Sequence, residues 1–176
     1  MLRLYALLLF ISLQQSMTLY QFNFESKLDS WEILDDVVMG GQSDGHLKIN
    51  EDGHGEFYGQ ISLENNGGFS SVRHYFETLD SSNFSTFSIR LKGDGKTYQF
   101  RVKNSRNNRH SYIYKFATSG DWQTIKIPFK DMYASFRGYR LDIPNFEGNK
   151  MEEIAFLIGN KKKESFKLLV DFISLE

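Results

Sequence analysis

The sequence predicts an all-β sandwich or barrel, and three observations lead there. Short apolar and aromatic runs are separated by turn residues roughly every 8–14 positions. Within several runs apolar and polar residues alternate with period two, as in a sheet with one buried and one wet face. Aromatics make up 15% of the 176 residues, and these side chains favour strands and fill sandwich cores.

Residues 1–18 have the pattern of an export leader. Arg3 is followed by the apolar run Leu4–Leu13, which matches a signal-peptide core and is shorter than the roughly 20 residues a membrane span needs. Ser16-Met17-Thr18 offers a small-x-small cleavage pattern. Two alternatives remain at this point, an apolar first strand and a translation start at Met17. The expected division is thus a signal peptide over 1–18 and one domain over 19–176, exported if the leader is genuine and otherwise cytoplasmic and membrane-associated.

Strand runs then follow in order: Leu19–Phe24, Trp31–Met39, His46–Ile49, Glu56–Leu63, Phe69–Phe76, Phe84–Leu91, Thr97–Lys103, Ser111–Ala117, Gln123–Pro128, Ile154–Ile158 and Phe166–Leu175. Between them stand Gly40-Gly41, Asp52-Gly53, Asn65-Asn66-Gly67-Gly68, Gly93-Asp94-Gly95, Asn107-Asn108, Ser119-Gly120 and Gly159-Asn160. The loops at 65–68 and 93–95 are expected to be hairpin turns. Helix is expected only as one turn near Lys130–Tyr133 and a lead-in at Met151–Glu153. Phe87, Ile89 and Leu91 share one face, as do Tyr98, Phe100 and Val102. If these strands pair, Arg90, Arg101, Lys103 and Lys115 share the wet face. Trp122 opens an apolar strand and is expected in the core.

Composition excludes several functions. Lys and Arg number 21 against 22 Asp and Glu, so no global field draws the chain to nucleic acid or anionic lipid. Lys161-Lys162-Lys163 is expected to be a solvated turn. With no cysteine, disulfides, thiolate catalysis and zinc-thiolate sites are ruled out. The four histidines show no metal-binding spacing, and His54 and His110 are expected to be solvated. Asp35 and Asp36 are adjacent on a strand, so their side chains point to opposite faces and disfavour a shared catalytic site. No enzyme is expected, and no cofactor beyond a structural calcium to which Asp171 could contribute.

The most distinctive stretch is Asp35-Asp36-Val37-Val38-Met39-Gly40-Gly41-Gln42-Ser43, a strand running into a paired-glycine turn. Together with Trp31 it resembles the signature of the complex I intermediate-associated protein 30 family. Four later stretches match in the same order. They are Gly59 with Ile61–Arg73 (containing Asn65-Asn66-Gly67-Gly68-Phe69), Leu91–Tyr98 around Gly93-Asp94-Gly95, Trp122–Phe129, and Phe136-Arg137-Gly138.

The resemblance implies a galactose-binding-like jelly-roll of two antiparallel sheets and a binding role. Mitochondrial members assist assembly of respiratory complex I by holding membrane-arm intermediates, and related sandwiches in carbohydrate-active enzymes bind sugars. The expected partner is therefore a protein, such as a membrane-protein assembly intermediate, with carbohydrate as the alternative. An exported copy would stand on the opposite side of the membrane from the matrix-side assembly factors, so the leader bears on the role. The candidate binding residues are Asp36 and Met39 of the first block, Asn65, Asn66 and Arg73 of the second, Asp94 of the third and Arg137 of the last. Arg90, Arg101 and Lys103 on the wet strand faces complete the set. Arg73 could hold a partner carboxylate or pair internally with Asp36 or Asp94.

Overall fold

The computed structural model describes residues 15–176, so most of the leader reading, residues 1–14, lies outside the described residues. Among the described residues the chain forms thirteen strands and three single-turn 3₁₀ helices. In order the strands are β1 (Met17–Gln21), β2 (Trp31–Asp35), β3 (Asp44–Ile49), β4 (Gly55–Ile61), β5 (Ser70–Asp80), β6 (Thr86–Lys92) and β7 (Thr97–Lys103). Then come β8 (Ser111–Ala117), β9 (Trp122–Pro128), β10 (Tyr133–Phe136), β11 (Tyr139–Arg140), β12 (Lys150–Ile158) and β13 (Glu164–Leu175).

Two antiparallel sheets stack face to face. One has the order β3-β4-β13-β6-β9, with β1 also paired to β13. The other has seven strands in the order β11-β10-β8-β7-β12-β5-β2. The period-two pattern decides which residues fill the space between them. Phe87, Ile89 and Leu91 of β6 are fully buried, and so are Tyr98 and Phe100 of β7. Phe87 and Phe100 meet across the core with ring centroids 4.9 Å apart, and Phe156 of β12 lies 5.4 Å from Phe100.

That meeting corrects the expected pairing of β6 with β7. The two strands face one another from opposite sheets, and Gly93–Lys96 is a crossover instead of a hairpin. The loop at 65–68 likewise carries the chain from β4 in one sheet to β5 in the other. Turn residues mark a reversal of direction, but they do not say whether the next strand pairs in the same sheet or faces its predecessor from the other one. Asp94 pins the crossover, accepting from the Tyr98 hydroxyl at 3.0 Å, Lys96 Nζ at 2.7 Å and the Lys167 amide at 3.0 Å. It therefore holds structure together instead of offering a free contact. Burial and the neighbouring Asp94 push the Tyr98 hydroxyl pKa up.

Smaller expectations also change. The turn near Lys130 is the 3₁₀ helix Phe129–Asp131, whereas Met151–Glu153 is already part of β12. Trp122 is half-buried on the outer face of the six-stranded sheet, against His54 (centroids 4.5 Å) and the Arg90 guanidinium (4.9 Å). His54 and His110 are both half-buried.

Because Phe100 is fully buried between the sheets, with Phe87 across the core and Phe156 beside it, Phe100→Ala should lose about 3–5 kcal/mol of stability. Urea unfolding followed by circular dichroism measures it; a loss near zero would contradict the packing described.

Candidate functional site

The first 3₁₀ helix, Asp36–Met39, begins where β2 ends. Asp36 is 0% exposed. Its carboxylate accepts from the Ser43 amide (2.9 Å) and hydroxyl (2.5 Å) and from the amides of Gly68 (2.5 Å) and Phe69 (3.2 Å). Burial alone would raise its pKa; the Ser43 hydroxyl and the three amides outweigh that and hold the carboxyl below 3.8. The glycines around it follow from this. Gly40 adopts φ +90°, and a Cβ on Gly41 or Gly67 would collide with the Asp36 carboxylate. Asp36 was expected at the contact surface; it is instead a sealed clip between two loops. Asp35 points the other way, accepting from the Gly45 amide at 2.9 Å.

The clip fixes two exposed loop tips beside the wet face of the seven-stranded sheet. One carries Met39, which is 61% exposed. The other carries Asn65 and Asn66, both with positive φ, and Asn65 Nδ2 donates to the Gly40 carbonyl at 3.0 Å. Between these tips and the turn at Arg137-Gly138 lies a groove of about 550 Å³. Met39, Phe69, Arg73, Gln99, Arg101, Ile113, Lys115, Tyr133, Ser135, Arg137 and Leu157 line it.

Strand register explains the lining. Across the sheet, Arg73, Ala155, Arg101, Ile113 and Tyr133 stand in one row. Ala155 is small, so two guanidinium groups flank it from either side. The next row places Leu157 beside Gln99, and Gln99 beside Lys115. On the other side Glu153 stands between Tyr75 and Lys103. Buried Glu153 is 3.9 Å from both Arg73 Nε and Lys103 Nζ, too far for a hydrogen bond to either. Arg73 thus has neither Asp36 nor Asp94 as its internal partner.

The groove floor is under-satisfied. Arg73 Nε, Arg101 Nε and Ser135 Oγ are buried without a hydrogen-bond partner among the described residues. Burial lowers the Arg101 pKa to about 10, with Arg73 repulsion adding to the shift, so the group stays charged at neutral pH. A wider cleft of about 800 Å³ between Phe84–Thr86, Pro128–Lys130 and Pro144–Glu147 is mostly apolar, and among the described residues no buried unpaired polar atom lies in it.

The expected site residues therefore divide. Met39, Arg73, Arg101 and Arg137 line one groove, Lys103 borders it through Glu153, and Asn65 and Asn66 form part of its lip. Arg90 belongs to the opposite sheet, where it is 2.5 Å from Asp171 Oδ2. That contact and the 2.8 Å bond from Gln21 Nε2 occupy both carboxylate oxygens of Asp171, the candidate calcium ligand. Among the described residues no group of three or more His, Asp or Glu could hold a metal. Sequence reasoning missed Tyr133, Ser135 and Leu157. Tyr133 and Ser135 alternate in a four-residue strand too short to read, and Leu157 looked like core.

The family model for Complex I intermediate-associated protein 30 matches residues 20–170. The chain belongs to the complex I intermediate-associated protein 30 family. It is 27% identical over 189 residues to the mouse (Mus musculus) "Complex I intermediate-associated protein 30, mitochondrial". That match covers 94% of this chain and 57% of the mouse protein, so the chain spans just over half its relative's length. Among solved structures it is similar to the family 11 carbohydrate-binding module of cellulosomal cellulase Lic26A-Cel5E of Clostridium thermocellum, with TM-score 0.69 and 19% identity over 92% of this chain and 94% of that one. A structure of the family 11 module from the same organism in complex with a β-1,3-1,4-mixed-linked tetrasaccharide gives TM-score 0.68 at 19% identity, covering 91% and 94%. An agarase matches at TM-score 0.60 and 14% identity, over 93% of this chain and 25% of its own. At these identities the structural likeness shows the fold, and the galactose-binding-like sandwich implied by the resemblance is the one observed.

Since the folded Asp36 pKa lies below the unfolded 3.8, its contribution is fully present above that pH and is lost as pH falls through the folded value. Asp36→Asn should cost about 3 kcal/mol at neutral pH and flatten the fall of stability below pH 3.8. Urea unfolding across pH checks this; parallel curves for both proteins would contradict the clip.

Proposed function

We propose that this member of the complex I intermediate-associated protein 30 family is a non-catalytic binding protein that holds a protein partner in the groove of its seven-stranded sheet. The observation carrying this reading is the set of three buried donors left unpaired among the described residues, Arg73 Nε, Arg101 Nε and Ser135 Oγ, on the floor of a preformed groove. Buried polar groups cost free energy unless paired, so a groove floor that holds three unpaired donors gains from a partner that supplies acceptors. Family membership supports an assembly-type role, with a membrane-protein intermediate as the partner.

Carbohydrate is the second reading, favoured by the likeness to a module solved with a bound tetrasaccharide. Tyr139 on the edge strand is 77% exposed, but three other rings of this sheet speak against it. The guanidinium of Arg140 covers a face of the Tyr133 ring at 4.9 Å, Arg109 lies 4.8 Å from Phe136, and Arg106 lies 4.8 Å from Tyr75. Rings covered in this way leave less surface for sugar stacking. Location belongs to the same proposal. Cleavage after Thr18 would leave Tyr20 and Gln21 to pair with Ile173 and Phe172, so an exported domain over 19–176 keeps part of the β1 ladder.

A photo-reactive amino acid placed at Met39 or Arg137 in the native host tests the reading, with Lys48 on the other sheet as control. Protein adducts identified by mass spectrometry are expected from the two groove positions and not from Lys48. Retention on mixed-linkage β-glucan with no protein adduct would sink the protein-partner reading in favour of the sugar one.

A further inference from the structure

The groove floor carries more positive charge than its own carboxylates neutralise. Arg73, Arg101 and Lys103 surround one acidic group, Glu153, and Lys115 and Arg137 add two cations at the rim. Another acid on this sheet, Glu32, stands beside Arg73 on the edge strand and accepts from the Tyr75 hydroxyl at 2.9 Å. Glu153 is itself shared between Arg73 and Lys103 at 3.9 Å each. Arg101 has no ion pair and no side-chain hydrogen bond among the described residues, and its Nε is buried. A guanidinium cannot escape such a site by losing its proton, and its planar fork matches a carboxylate two bonds at a time.

We propose that Arg73 and Arg101 form a carboxylate-recognition site for an acidic side chain of an extended peptide segment in the protein partner. This deepens the protein-partner reading and rests on it. The geometry suits one carboxylate. Arg73 and Arg101 flank Ala155 in one cross-strand row, two inter-strand spacings apart, about 10 Å between backbones, so their side chains can converge on a group above Ala155. Apolar walls at Met39, Ile113 and Leu157 receive the residues on either side of the acid. Those walls favour a peptide over an acidic polysaccharide, which lacks apolar side chains to fill them.

The test uses nuclear magnetic resonance on the full chain at physiological ionic strength, following the Arg73 and Arg101 Nε–Hε signals. The probes are a decapeptide of alternating Glu and Leu, its counterpart with every Glu replaced by Gln, and an oligogalacturonate. The Glu peptide should shift both arginine signals and bind about tenfold or more tightly than the Gln peptide. Arg101→Gln should abolish that preference while the protein stays folded by its thermal melt. Arg101→Lys, which keeps charge but not the fork, should restore less than half of the preference in log units. If Arg101→Gln fails to fold, Arg73→Gln serves in its place. Equal binding of the two peptides, no binding of either, or preferential binding of the oligogalacturonate would overturn the proposal. Groove cross-links that persist unchanged in Arg101→Gln would remove the carboxylate site and leave the protein-partner reading standing. Loss of all groove cross-links in the unaltered protein would remove the reading itself.

Discussion

The Asp36 carboxylate is the point at which the two loops beside the groove become one rigid piece. It is sealed from solvent and accepts from Ser43, Gly68 and Phe69, three residues separated from it by 7 to 33 positions in sequence. A buried carboxylate is tolerable only with its lone pairs filled, so the loops on both sides must reach it. Gly40 gives the left-handed turn that returns the chain, and Gly41 and Gly67 give the space the carboxylate occupies. Met39 and Asn65 are presented as fixed lips because the clip lies directly beneath them. Preorganised lips lower the ordering cost that a partner would otherwise meet on binding.

The groove is the counterpart of that order. Its walls are built by strand pairing, which sets Arg73 and Arg101 on either side of Ala155 without either guanidinium finding a full partner. Arg73 and Lys103 offset buried Glu153, but Arg101 makes no ion pair among the described residues, and an apolar residue of the same shape there would spare the sheet a desolvated charge. Three buried unpaired polar atoms gathered on one concave surface, next to loops held in place by a sealed carboxylate, are the pattern expected of a surface shaped for binding.

Much of the layered architecture was legible in the sequence, because alternation such as Phe87-Ile89-Leu91 and Tyr98-Phe100-Val102 encodes a buried face directly. Strand partners were not legible. Gly93-Asp94-Gly95 reads the same whether it closes a hairpin or carries the chain across the core, and only packing of Phe87 on Phe100 decides it. That ambiguity put Arg90 on the wrong sheet. The Asp35–Ser43 stretch stood out as special, yet its chemistry was inverted. A conspicuous acidic residue suggested a contact, whereas the surrounding glycines are the mark of a carboxylate packed inside. Ser135 and Tyr133 escaped notice because a four-residue strand holds too few alternations to show a period, and Leu157 because a central strand is apolar on both faces.

Hydrogen–deuterium exchange on the full chain, free and saturated with its cross-linked and purified partner, bears most directly on the claim that the seven-stranded sheet is the binding surface. The account predicts slowed exchange at 68–75, 97–103 and 133–138, with 86–92 and 122–128 of the opposite sheet unchanged. Protection confined to the opposite sheet, or spread evenly over both, would contradict it.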